Sequence, residues 1–168
     1  SIVLYPREIR EGVCNLWMSG IEASGRQTGF LMPVTNTTLT IPATADRIVS
    51  VGAYQADTMA VAPFSGRGFT ASGQVAPTLV APGVDILTAA PGGGYARRTG
   101  TSIAAPFVTG AAALLMEWGI VRGNDVELYG EKGKAYLMRG AKPLPGITDY
   151  PDVAAGYGRL CVEQSIPK

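Results

Sequence analysis

The stretch GTSIAAPFVTG, Gly100–Gly110, decides how this chain is read. It continues as an uncharged, mostly apolar run from Ile103 to Met116 and predicts a helix from Ile103 to about Trp118. Pro106 falls in the first turn, where a missing N–H costs least. Ala104, Ala105, Gly110, Ala111, Ala112 and Ala113 let neighbouring backbone approach closely, and a helix apolar on every side is expected to be central and buried. The uncharged run is 14 residues long, short of the about 20 that a membrane span needs. Ser102 stands where a glycine-rich loop meets the helix N-terminus. Free N–H groups and the positive dipole end there favour developing negative charge, as an acyl-transfer site requires. Two readings stay open on local physics: Ser102 is a nucleophile, or Thr101 or Ser102 is an N-cap. A serine nucleophile needs a general base, usually histidine, and the chain contains no histidine.

At 168 residues, 46% hydrophobic and 16% charged, the chain has the size and composition of one globular domain. Fourteen basic and 13 acidic residues give a net charge of +1, which offers no electrostatic footprint for nucleic acid or an anionic membrane. Cys14 and Cys161 are too few and too far apart for a disulfide framework or a metal pattern and read as two buried thiols. The opening SIVLYPREIREG has no basic region followed by a long apolar run, so no signal peptide is visible.

Short apolar runs, GVCNLWMSG and GFLMPV, make the opening third read as β-structure around a Ser24-Gly25 turn. Ala45 to Tyr54 (ADRIVSVGAY) is a strand candidate, APFSGRGFTASGQ a surface loop, and PTLVAPGVDILTAAPGGG two strands around a Pro82-Gly83 turn. GGGYARRTGTS reads as loop leading into the long helix. A second helix is expected from about Val126 to Arg139, despite Gly130 and Gly133, and a last short one near the C-terminus. Strands interleaved with helices favour an α/β layered core.

Gly100, Thr101, Ser102, Ala104, Ala105, Pro106, Val108 and Gly110 match the serine motif of the subtilisin-like proteases (subtilases), Gly-Thr-Ser-Met-Ala-Ala/Ser-Pro-His-Val-Ala-Gly. IPATADRIVSVGAY resembles that family's Pro-Ala…Ile-x-Val-Gly-Ala strand, FSGRG its Phe-Ser-Ser-Arg-Gly loop, LVAPGVDI its Leu-x-Ala-Pro-Gly-Val-x-Ile, and GYGRLCVEQSI its C-terminal Gly-x-Gly helix, all in the family's order. FVTGAAALLMEWGIVRGND…YGEKGKAYLMRGAKPLPG is similar to the clostridial subtilases that include the spore-germination proteases.

The resemblance implies an α/β fold: part of a three-layer subtilisin-like core with a parallel sheet and buried helices. Residues 1–33 would be the β-stranded tail of a β-sandwich insertion, and 34–168 the C-terminal part of a catalytic domain. It implies a serine endopeptidase acting on peptide or protein substrates, with Ser102 as nucleophile and Gly100, Thr101 and Ser102 forming the oxyanion loop. The triad Asp and His and the oxyanion asparagine would lie upstream, in an N-terminal half this chain lacks, so the chain alone is expected to be inactive. The alternative is a pseudoprotease or scaffold of the same fold.

By resemblance Thr40 sits near the specificity pocket; a plain strand residue is the other reading. Asn36, upstream of the strand, is a candidate oxyanion asparagine, though it follows Thr35 and not the glycine of the family's pair; Gly123-Asn124 comes after Ser102, in the wrong order, and reads as a turn. Phe107 replaces a histidine that is not the triad base, and Thr78 replaces a common acid. Arg97-Arg98 reads as solvated loop charge, or as a contact to an acidic substrate or to the absent part. Asp46, Asp57 and Asp85 are scattered, so no metal is expected from spacing. Relatives can hold calcium or sodium on backbone carbonyls near the strand matching Ala43 to Ile48. Bacterial secretion or spore association follows by resemblance only. Without the early strands and one helix flank, the chain is expected to self-associate, and no membrane span is expected.

Overall fold

The computed structural model describes residues 5, 7–10, 12, 15–18, 24–25 and 27–167. The chain divides into two units, Ser1–Pro33 and Val34–Lys168. In the first, none of the described residues is in a strand. The run 29–34, expected to be extended, is bends and coil with Leu31, Met32 and Val34 exposed. An apolar run becomes a strand only where a partner takes up its backbone groups, and no ladder reaches it among the described residues. Cys14 lies outside the described residues, and Cys161 is a half-buried free thiol.

In the second unit the elements run β1 (Val51–Gln55), β2 (Ala60–Val61), β3 (Leu79–Pro82), β4 (Ile86–Ala89), β5 (Tyr95–Arg98), α1 (Thr101–Met116), a π-helical turn (Glu117–Val121), α2 (Gly130–Arg139) and α3 (Val162–Ser165). β1 pairs in parallel with β3, with Val51 opposite Leu79 and Tyr54 opposite Pro82. β2 is antiparallel to the end of β1, so the sheet is mixed and not purely parallel. The chain returns at 158–160 to the far side of β3: Val80 donates to the Gly158 carbonyl at 3.0 Å, and Leu160 donates to that of Val80 at 2.8 Å. β4 and β5 form a separate antiparallel hairpin.

β1 and β3 are near-continuous buried runs because both faces of this sheet are covered. On one face Ala53, Leu79 and Ala81 meet the α1 stripe Ala104, Val108, Ala111 and Leu115, together with Leu128 and Leu137. The stripe's spacing of four, three and four residues is one side of a helix. Tyr54 and Val80 face the other way, onto Leu144 and Ala155; coil, not helix, covers that side. Each fully buried leucine contributes about 1.5–3 kcal/mol relative to exposure.

α1 departs from expectation on its second side. Phe107 is 42% exposed and Leu114 51%, so the helix is apolar all round but covered on one side only. With its π-helical turn the run Thr101–Val121 is long and apolar enough, by length and composition, to cross a membrane. A core helix passes the same test, and the buried stripe against β1 and β3 is of that kind.

Candidate active site

Ser102 is the second residue of α1. The N-cap is Gly100, and no side chain caps the helix. That overturns the N-cap reading of Thr101 and Ser102: both have already entered the helix. The Ser102 side chain is exposed and makes no hydrogen bond among the described residues. The Gly100 carbonyl takes the amides of Ile103 (3.1 Å) and Ala104 (3.3 Å), whereas no backbone carbonyl among the described residues accepts from Thr101 or Ser102. No acidic residue sits in the first turn, so nothing on the helix offsets the positive end of its dipole. An unspent hydroxyl beside two unspent amides is what addition to a carbonyl followed by stabilisation of the oxyanion requires.

Three connections hold this helix start. Gly100 donates to the Gly83 carbonyl at 2.8 Å, and Gly83 donates to that of Tyr54 at 3.0 Å, so the sheet, the β3–β4 turn and the N-cap form one chain of bonds. The Asp85 amide donates to Thr99 Oγ1 at 2.9 Å. Arg97 Nη1 donates both to the Asp85 carbonyl (2.8 Å) and to its carboxylate Oδ2 (2.9 Å). Arg97 is therefore engaged within the loop, which the solvated-charge reading of Arg97-Arg98 missed. β5 replaces the loop expected here: its burial is slight and its pairing is carried by backbone, so hydrophobic patterning gives no sign of it. The glycine run Gly92–Gly94, all at positive φ, is the signal that could have marked a hairpin turn.

The other candidate residues lie apart from this cluster. Thr40 is exposed in coil just before the turn at 41–44, outside any strand, and no hydrogen bond joins it to the loop before Ser102 among the described residues. Asn36 is exposed in the bend before Thr38, whose side chain and amide bond the Arg67 backbone. Gly123-Asn124 is a turn: Gly123 has φ 74° and Asn124 Nδ2 donates to the Trp118 carbonyl at 2.8 Å. Near Ala43 to Ile48, where relatives can hold a cation on carbonyls, Lys134 Nζ donates to the Ile48 carbonyl at 2.6 Å. The protein's own ammonium takes that oxygen. Among the described residues no three His, Cys, Asp or Glu side chains gather for a metal.

The family model described as the subtilase family, Peptidase S8, matches residues 21–158. The solved structure of the Clostridium perfringens CspB protease superposes with a TM-score of 0.78 at 45% identity, over 82% of this chain and 29% of that one. An intracellular serine protease of Paenibacillus polymyxa is 43% identical over 106 residues, 61% of this chain and 30% of that protein. The subtilisin-like serine protease Pen ch 13 of Penicillium rubens is 35% identical over 112 residues, 67% of this chain and 26% of its own length. The chain thus spans less than a third of each of these proteins. The fold is subtilisin-like, and the clostridial likeness read from the sequence is borne out.

Proposed function

The chain belongs to the subtilase family, and on that premise we propose that it is the serine-bearing part of a serine endopeptidase. Ser102 Oγ attacks the scissile peptide carbonyl while a histidine, supplied by polypeptide outside these 168 residues, takes the hydroxyl proton. The Oγ–C bond forms and the carbonyl becomes an oxyanion facing the Ser102 amide. The histidine returns its proton to the leaving amine as the C–N bond breaks, and water then releases the acyl group by the same route. An aspartate outside this chain orients the histidine. Thr40 belongs to the substrate-binding side, and the substrate is an extended peptide.

The observation that carries this reading is the Ser102 hydroxyl, exposed and unbonded at the start of a helix whose first two amides are free of backbone partners. The same reading assigns residues 1–33 to the tail of an insertion. It assigns the uncovered side of α1, with Phe107 and Leu114, to contact with the absent part of the enzyme. The 168-residue chain by itself is then inactive and self-associates through that side.

Fluorophosphonate labelling of the longer polypeptide that carries this chain, with mass mapping of the adduct, tests it. Modified Ser102 supports an activated nucleophile. Unmodified Ser102 in folded, propeptide-free protein overturns the peptidase reading and leaves a scaffold of the same fold.

A further inference from the structure

We propose that Asp85, Arg97 and Thr99 form a positioning clamp that fixes the Ser102 loop for reaction, an inference that rests on Ser102 being the nucleophile. Asp85 follows the β3–β4 turn by chain but is bonded to the strand that leads into α1. Its amide goes to Thr99, and its carbonyl and carboxylate both receive Arg97 Nη1. Its backbone is left-handed, φ 55°, a conformation that aspartate tolerates better than most residues. The β4–β5 register places Ile86 opposite Arg98, so the clamp closes the open end of that hairpin. Thr99 is three residues from Ser102, with only Gly100 and Thr101 between.

The Gly83–Gly100 bond anchors the N-cap from the sheet side; the clamp anchors it from the hairpin side. With both present, the Ser102 amide and hydroxyl have one position relative to the sheet. With the clamp open, only the Gly83 bond holds Gly100, and the helix start can pivot about it. The Arg97 and Asp85 side chains are 62% and 67% exposed, and such pairs contribute little to global stability. The clamp's effect is therefore expected in the reaction step and not in unfolding.

The variants are Arg97→Met and Thr99→Val, which each remove one arm, and Thr99→Ser, which keeps the hydroxyl acceptor. They are made in the longer polypeptide. Fluorophosphonate labelling is followed over a range of probe concentrations, so that the bond-forming rate separates from probe binding, with thermal unfolding alongside. The expected result is a bond-forming rate lower by about 10- to 100-fold in R97M and T99V, the scale set by misplacing a reacting group by about 1 Å. Probe affinity and the midpoint of unfolding stay near wild type, and T99S recovers the wild-type rate. Wild-type labelling with equal rates in all variants overturns the clamp and leaves the peptidase reading intact. A rate loss in T99V that T99S does not recover also overturns it. A wild-type Ser102 that never labels overturns the peptidase reading and the clamp with it.

Discussion

Gly83 packs so closely against Gly100 that it has no room for a side chain. The Gly100 amide reaches the Gly83 carbonyl at 2.8 Å. A Cβ built on Gly83 would stand 2.7 Å from Ala53 Cβ, 2.9 Å from the Gly100 carbonyl oxygen and 3.2 Å from Ala104 Cβ. The glycine of the β3–β4 turn is thus what lets the start of α1 rest on β1.

Gly83→Ala is expected to force α1 away from the sheet and to destabilise the chain by about 1–3 kcal/mol, the usual cost of overpacking. Thermal unfolding would register this as about 2–4 °C lost per kcal/mol. Gly110→Ala is the control: nothing lies within 4 Å of a Cβ there, and alanine in a helix interior is favoured by about 0.5–1 kcal/mol. Equal and small effects at both sites would contradict this account of Gly83.

Ser102→Ala separates a nucleophile from a cap. A capping serine costs about 0.5–2 kcal/mol when truncated. Ser102 is inside the helix, exposed, and without a hydrogen bond among the described residues, so its removal is expected to shift stability by less than about 0.5 kcal/mol. Denaturant midpoints of the two chains decide the matter. A clear loss of stability in the alanine variant would return Ser102 to a structural role.

The legible parts of this fold were those where burial and composition agree. The Gly-Thr-Ser junction and the apolar run after it fix α1 to within two residues of its observed start. β3 is legible because Leu79, Val80 and Ala81 are all buried. β1 was expected from Ala45 but begins at Val51: residues 45–47 turn instead, with Arg47 at φ 62°. α2 starts at Gly130 and not near Val126, because Leu128 is drawn into the core under Gly119, and its amide closes a turn onto the Asp125 carbonyl at 3.1 Å. The place of Ser102 at the start of α1 was legible from its neighbours in sequence. Asp85, read as a scattered acid, was not, since its partners Arg97 and Thr99 are brought to it by a hairpin that backbone pairing builds.

Asp125 gives a pH dependence of definite sign. Lys132 Nζ donates to its Oδ1 at 2.5 Å, and Tyr136 Oη donates to Oδ2 at 3.0 Å. The Lys132 hydrogen bond, chiefly, holds the carboxyl below its ordinary 3.8, and the Asp125 bond holds the ammonium above its ordinary 10.5. A depressed carboxyl adds stability that is present above its unfolded value and is lost as pH falls through the folded one. A raised ammonium adds stability that is present below 10.5 and is lost as pH rises through its folded value. Asp125→Asn is therefore expected to lower the melting temperature near neutrality and to converge with wild type below pH 3.8. A gap between the two melting curves that stays constant through the acid range would sink this assignment.

The uncovered side of α1 makes the last prediction. Phe107 and Leu114 lie seven residues apart, two helical turns on one face, and are 42% and 51% exposed. Contiguous exposed apolar surface of this kind marks an interface. In the 168-residue chain alone, sedimentation at micromolar concentration is expected to find dimers or larger species. Phe107→Glu with Leu114→Lys is expected to return the chain to monomer, since charges at the centre of an apolar contact are desolvated without partners. The melting temperature of the monomer should hardly move, because neither side chain is in the buried stripe. A wild-type chain that sediments as a single monomeric species would rule out association through this face.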